Sequence, residues 1–294
     1  LLLPQGRAGR GKQTVKMAIF SKTADSTAIV PAFAHRLMSR CLNFLVGCID
    51  AEWFQNVRLP RLLADFLYQK LEKRLLINDR LLPVVLHAGS RVADLTGCPI
   101  TNRGLPSLSL CTRLKKLCLS TDPGSNTFSE TRLLECFQCF HELEWLELVG
   151  IEAVTTEVVK VIAEQNENLT VLKLKECNGI GDPCLRLLGL HCHRLKAINL
   201  SSTLITSQGI TALLEGACRL TLEEFIGDRC LHLDDHGIVQ LVINCPKLRI
   251  LSVAGCPTFK SKEERLLKMS TLHLTGSVQR TNCFGRGLFL KPGG

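Results

Sequence analysis

One nine-residue pattern recurs along most of the chain and leaves few folds open to it. It reads L-x-x-L-x-L-x-x-C/T, as in LTVLKLKEC (169–177), LKAINLSST (195–203), LEEFIGDRC (222–230) and LRILSVAGC (248–256). Upstream stand LEWLELVGI (143–151), LKKLCLSTD (114–122) and SRVADLTGC (90–98). Successive copies begin 24, 29, 26, 26, 27 and 26 residues apart, and register kept over so much of a chain marks a structural repeat.

Within each copy the apolar residues alternate, which is the period of a short strand with one buried face. Helical spacing follows: Ile210, Leu213, Leu214 and Ala217 after one copy, Ile238, Leu241 and Val242 after another. Asp182, Thr206 and Asp234 stand just ahead of three such stretches, where a side-chain oxygen accepts from an unpaired N–H of the first turn, so each is expected as an N-cap. One strand and one helix cannot bury their own leucines, but stacked units share a continuous core. The expected fold class is α/β: a leucine-rich-repeat solenoid of about seven cysteine-type repeats with an N-terminal helical cap, its strands lining the concave wall.

The fifteen cysteines raise the question of disulfides or metal sites, and repeat register accounts for most of them. Cys98, Cys177, Cys230 and Cys256 hold the ninth position, with Thr203 in the same slot of another copy. Cys111, Cys139, Cys192, Cys218 and Cys245 close helices three or four residues before the next strand. A reduced cysteine is small, apolar and weakly hydrogen-bonding, which suits both places. Cys136-x-x-Cys139 beside His141, and His191-Cys192-His193, suggest metal ligands only if the repeat is ignored, since a zinc site ordinarily needs two such pairs at fixed separation. No metal and no cofactor is expected. Neither a G-x-S-x-G elbow, a phosphate-binding glycine loop nor H-E-x-x-H occurs. Asp234, Asp235 and His236 fall at a helix start, where acids complement the dipole. No catalytic residue and no enzymatic activity is expected.

The net charge of +9 gathers at the two ends. Residues 1–22 carry five basic side chains and residues 271–294 three, neither with an acid, which leaves residues 23–270 near +1. That removes the electrostatic case for a nucleic-acid partner. No run approaches the ~18–20 apolar residues of a membrane span, and the opening LLLPQGRAGRGK does not read as a signal peptide. A membrane is therefore not an expected partner, and the expected location is the cytoplasm or nucleus, where thiols stay reduced.

Residues 1–30 and 271–294 read as disordered tails, 31–88 as a helical cap or adaptor-docking segment, and 89–270 as the repeat domain. Leu37, Cys41 and Leu45 share one helical face. RLPRLLADFLYQKLEKRLLINDRLLPVVL (58–86) begins with proline at a helix N1 position and carries the apolar stripe Leu63, Phe66, Leu67 and Leu71. The pattern L-x-x-x-C-x-x-x-L resembles the box by which adaptors bind Elongin C, although Arg36 stands where such boxes carry a small residue. Leu59-Pro60-x-x-Leu63-x-x-x-Leu67 is similar to the cullin-selecting box that follows it. LPRLLADFLYQKL also resembles the start of an F-box. These resemblances imply docking to Elongin C and a cullin, or to Skp1, through Leu37, Cys41, Leu45, Pro60, Leu63 and Leu67. The plainer reading of the same segment is a cap over the first repeat.

The repeats resemble those of F-box leucine-rich-repeat proteins. LTGCPITNRGLPSLSLCTRLKKLCL (95–119), LEEFIGDRCLHLDDHGIVQLVINCPKLRIL (222–251) and the helix–LP–helix prelude resemble the antagonist of mitotic exit network family over about residues 36–268. Two departures stand out: STDPGSNTFSETRL replaces the usual turn of the 114–142 repeat, and Ile151 replaces the ninth-position cysteine. The resemblance implies protein binding linked to cell-cycle control and ubiquitin ligation. The chain would be a substrate receptor or adaptor of a ubiquitin ligase, or else a regulator that binds and blocks a signalling protein such as a mitotic-exit GTPase. In register, the third, fifth and seventh positions of each strand face out of the concave wall. They include Lys116, Cys118, Trp145, Glu147, Lys173, Lys175, Asn199, Glu224 and Asp228, with Trp145 expected as an exposed anchor for a protein ligand.

Overall fold

The computed structural model describes residues 40, 43, 59–121, 127–256, 278–279 and 289–290. The chain divides into two units, Leu1–Cys41 and Leu42–Gly294, and the fold described below belongs to the second. It starts with helices α1 (Arg61–Glu72) and α2 (Leu82–Val85). Strands and helices then alternate: β1 (Val92–Leu95), α3 (Leu105–Ser109), β2 (Lys116–Ser120), α4 (Glu130–Phe137), β3 (Trp145–Val149) and α5 (Thr156–Gln165). The series continues with β4 (Val171–Lys173), α6 (Asp182–His191), β5 (Ala197–Asn199), α7 (Ser207–Leu214), β6 (Glu224–Ile226), α8 (Asp235–Asn244) and β7 (Ile250–Ser252). A two-residue antiparallel pair, β8 (Val278–Gln279) with β9 (Phe289–Leu290), falls within the stretch expected to be a disordered tail.

β1 to β7 form one parallel sheet in chain order. Each residue pairs with its counterpart one coil later, so Lys116, Trp145, Val171, Ala197, Glu224 and Ile250 make a single row. The inward row Leu117, Leu146, Leu172, Ile198, Phe225 and Leu251 is at most 1% exposed. The helices complete this core from one side, α7 through Ile210 and Leu213, α8 through Ile238 and Leu241. Burying each such side chain contributes about 1.5–3 kcal/mol, the main force holding coil to coil. The alternate positions of β3, β4, β5 and β6 stay half-exposed. The sheet is covered on one face and open on the other, an α/β repeat architecture.

Three polar ladders tie the coils together. The first is the ninth-position thiol: Cys177 Sγ donates to the Leu148 carbonyl (3.3 Å), Cys230 Sγ to Leu200 (3.1 Å) and Cys256 Sγ to Gly227 (3.0 Å). Each acceptor is the sixth residue of the preceding coil. Thr203 instead bonds its own coil, at the same Leu200 carbonyl (2.6 Å).

The second ladder uses backbone N–H donors, which meet backbone carbonyls except at Gly97, where the acceptor is Ser120 Oγ (2.8 Å). The eighth residue of six coils adopts positive φ: Gly97, Gly150, Glu176, Ser202, Arg229 and Gly255, between 56° and 77°. Eighth-position N–H groups reach the next coil, as in Gly150 to Lys175 O (2.9 Å), Glu176 to Ser201 O (2.9 Å), Ser202 to Asp228 O (2.7 Å) and Arg229 to Ala254 O (2.7 Å). Glycine takes the conformation freely, whereas each of the three other side chains costs about 1 kcal/mol.

The third ladder joins helix starts. Asp79 accepts from Thr101 N (2.8 Å), Asn102 from Ser129 N (2.9 Å) and Glu130 from Thr155 Oγ1 (2.5 Å); Ser207 Oγ donates to Asp234. Thr206 and Asp234 are N-caps as expected, accepting from Gln208 N and from His236 and Gly237 N respectively. Asp182 is not. Gly181 occupies the cap of α6, and the Asp182 carboxylate reaches across to Thr206, accepting from its N–H (2.8 Å) and hydroxyl (2.7 Å). It braces the next coil's cap rather than making its own.

Residues 59–86 form two helices broken by a turn, with Pro60 at the N-cap of α1 rather than at N1. Ala64, Leu67 and Leu71 are buried. Tyr68 donates its hydroxyl to the Asp94 carbonyl (3.1 Å) and accepts from the Asp94 N–H (2.6 Å). The hydroxyl thus satisfies the backbone of Asp94 in the edge strand β1.

Candidate interaction surface

The open sheet face brings the outward residues of the strands into three rows. Trp145, at the third position of β3, does not stand clear of the wall. It is half-buried, and ammonium groups from the strands on either side lie over it, Lys116 Nζ at 5.4 Å and Lys173 Nζ at 5.1 Å from the ring centroid. Its indole Nε1 is buried and has no hydrogen-bond partner among the described residues. The expectation of an exposed tryptophan is corrected accordingly. Long flexible lysines on neighbouring strands fold onto the π face, where the ring quadrupole attracts them.

Both lysines are themselves held. Lys116 Nζ lies 2.9 Å from Asp94 and Lys173 Nζ 3.1 Å from Glu147. The Asp94 hydrogen bond, against partial burial, holds the Lys116 ammonium above its usual range. Burial would raise the Asp94 carboxyl, but hydrogen bonds from Lys116 and Thr96 outweigh it and leave the group below the usual carboxylate range. The fifth-position Cys118 faces the same side as these charges, yet it is 1% exposed and burial pushes its thiol up to about 12. Cys118 is thus removed from the accessible wall: the longer side chains around it close over a short one.

Further along, Asn199 Oδ1 accepts from the Ser201 N–H (3.0 Å) and hydroxyl (2.8 Å). Asp228 accepts from Ser252 Oγ (2.6 Å) and Ala254 N (2.8 Å). Lys175 Nζ pairs with Glu176 at 3.3 Å, and Arg229 reaches the same carboxylate at 3.0 Å. Glu224 is half-exposed and has no ion pair among the described residues. Lys116, Trp145, Glu147 and Lys173 therefore form one linked cluster with Asp94. Lys175, Asn199 and Asp228 are engaged at the turn end of the wall, and Glu224 stands apart. Sequence reasoning missed Asp94, Glu176 and Arg229. Asp94 was legible as the fifth position of the first copy; the other two sit at the eighth position, which the leucine pattern leaves unspecified.

Beside the cluster, a cleft of about 550 Å³ opens between α1 and β1, lined among others by Asp65, Tyr68, Glu72, Val92, Asp94 and Lys116. Of the residues expected to dock an adaptor, Leu37, Cys41 and Leu45 lie outside the described residues. Pro60 is exposed and Leu63 half-exposed. Leu67 is fully buried and corrected on that ground: it packs in the chain's own core and offers no surface to a partner. Among the described residues no group of three His, Cys, Asp or Glu is arranged to hold a metal ion, and no helix is long and apolar enough to cross a membrane.

With this geometry in view, a family model described as "Leucine Rich repeat" matches residues 165–188, which run from the end of α5 through β4 into α6. That match covers one leucine-rich repeat, in keeping with the α/β repeat architecture. Among solved structures, a chain of the Rad7 and Elc1 complex in yeast is similar at TM-score 0.43 and 17% identity, over 75% of this chain and 63% of that one. This chain thus spans less than two thirds of that chain's length. The actin-binding site 2 of leiomodin-1 is similar at TM-score 0.32 and 16% identity, over 57% of this chain and 86% of that one. The Caenorhabditis elegans tropomodulin C-terminal domain gives TM-score 0.34 and 12% identity, over 57% and 89%.

Proposed function

We propose that the protein is a non-catalytic interaction scaffold, a substrate receptor or adaptor of a ubiquitin ligase that acts in the cytoplasm or nucleus. One observation carries the scaffold reading. Parallel sheets are almost always covered on both faces, yet here helices cover one face while the other presents half-exposed charged residues around Trp145. An open, self-paired polar wall with an aromatic at its centre is complementary to a protein surface. It lacks the enclosed, mostly apolar shape of a small-molecule site.

The ligase part of the reading rests on sequence resemblance: the L-x-x-x-C-x-x-x-L box at Leu37, Cys41 and Leu45 and the Leu59-Pro60 that follows it. The likeness to the antagonist of mitotic exit network family adds cell-cycle control as the setting. Affinity capture from cell extract, probed for Elongin C, cullins and Skp1, tests it. Elongin C should be captured by the whole chain and lost with Leu37→Asp combined with Cys41→Asp. Capture of Skp1 instead would replace the adaptor box with the F-box reading. Capture of no ligase core, with a GTPase retained, would make the chain a blocking regulator.

A further inference from the structure

Three eighth-position residues keep positive φ without being glycine, and they stand on consecutive coils: Glu176, Ser202 and Arg229. The ladder they serve uses only backbone N–H groups, so glycine would build the same turn without the steric penalty of a side chain. Their side chains are thus superfluous to the fold at positions that resist them. Strain of this kind is retained where the side chain does something else.

The surroundings indicate what that is. Glu176 Oε1 is shared by Lys175 Nζ (3.3 Å) and Arg229 Nη2 (3.0 Å), two cations on one carboxylate. The Arg229 side chain is 60% exposed, and exposed pairs of this kind stabilise a fold little. Two residues beyond Ser202 and Arg229, on adjacent coils, Leu204 and Leu231 are 56% and 68% exposed. Two cations converge on one carboxylate here, and a solvent-facing leucine follows two residues after Ser202 and after Arg229, chemistry complementary to an acidic, apolar segment.

We propose that this rim is a contact site for a partner segment in which a carboxylate adjoins a large apolar side chain. The partner's carboxylate takes the place that Glu176 now holds between Lys175 and Arg229, and its apolar side chain covers Leu204 and Leu231. The inference rests on the protein-binding reading above and adds to it a location and a partner chemistry.

The test uses the whole chain and a synthetic peptide of alternating leucine and glutamate, followed by fluorescence anisotropy, with a lysine-for-glutamate peptide as control. The glutamate peptide should bind and the control should not. Arg229→Gly should weaken binding about tenfold or more, and Leu231→Ser should weaken it as well. Glu176→Gly should tighten binding about threefold, because it frees both cations. Both glycine variants should melt at the wild-type temperature or above it, which a structural role for these side chains would not allow. Failure of the glutamate peptide to bind, equal affinity across wild type and variants, or a lower melting temperature in the glycine variants would overturn the proposal. None of these results bears on capture of a ligase core, which tests the scaffold reading separately.

Discussion

The Cys230 thiol lies 3.1 Å from the carbonyl of Leu200, one coil back, and that carbonyl also receives the Thr203 hydroxyl at 2.6 Å. The equivalent Leu148 carbonyl has the Cys177 thiol, at 3.3 Å, as its side-chain donor. Two cysteines in one slot of the repeat thus do unequal work. Cys177→Ala should destabilise the protein by about 1–2 kcal/mol, combining a small cavity with an under-satisfied carbonyl. Cys230→Ala should cost less, since Thr203 remains. Urea unfolding of the two variants side by side checks the order. Equal losses would mean that the thiol bonds contribute nothing beyond packing.

Thiol chemistry should follow burial. Desolvation pushes the Cys177, Cys192 and Cys245 thiols up to about 12 and those of Cys111 and Cys218 up to about 11. At pH 8 almost none of these is thiolate, the reactive form. Brief alkylation of the native protein, mapped by peptide mass spectrometry, should mark the half-exposed Cys139 before any of them. In denaturant all should react alike.

Adjacent residues of β3 should respond differently to truncation. Leu146 is fully buried, so Leu146→Ala should cost about 2–5 kcal/mol. Trp145→Ala removes contacts with two lysines, each worth about 0.5–1 kcal/mol at a partly exposed site. A loss of about 1–2 kcal/mol is therefore expected, and a larger one would place the ring in the core. Chemical denaturation of the two variants separates these outcomes.

Acid should weaken the fold through groups whose folded pKa is depressed. The hydrogen bond from Ser207, aided by the Gly237 and His236 N–H groups, holds Asp234 below the usual carboxylate range despite some burial, and Asp94 is lowered as described. A depressed folded value means that stability is fully present above the unfolded pKa of about 3.9 and is lost as pH falls through the folded value. Thermal melts should be flat from about pH 7 to 5 and drop below about 4. The drop should be smaller for Asp234→Asn, and an identical drop would remove Asp234 from the explanation.

Strand register was directly legible, because one face of each strand is buried and a slip of one residue would turn every leucine to solvent. The caps Thr206 and Asp234 were legible for a local reason: each serves N–H groups two or three residues away. Asp182 was misread because its partner, Thr206, sits 24 residues on in the next coil. The lysine cover over Trp145 was hidden for a related reason. Which way a lysine folds depends on a carboxylate in the preceding strand, Asp94 for Lys116 and Glu147 for Lys173, and the leucine spacing carries no information about them. The left-handed eighth position could have been found from Gly97, Gly150 and Gly255 standing just before the ninth residue.

The eighth-position ladder has a consequence for how the chain can change in length. From Gly150 to Arg229 its donors and acceptors are backbone groups of the same rank in each coil, as from Glu176 N to Ser201 O and from Ser202 N to Asp228 O. Excising residues 195–221 would bring Glu176 N opposite Asp228 O, a donor and an acceptor already matched in kind. The Cys230 thiol would then face Leu174, the sixth residue of its new neighbour. Removing half a coil would leave the same groups out of phase from that point on. Whole coils are therefore the units in which this protein can be shortened or extended without rebuilding its interior.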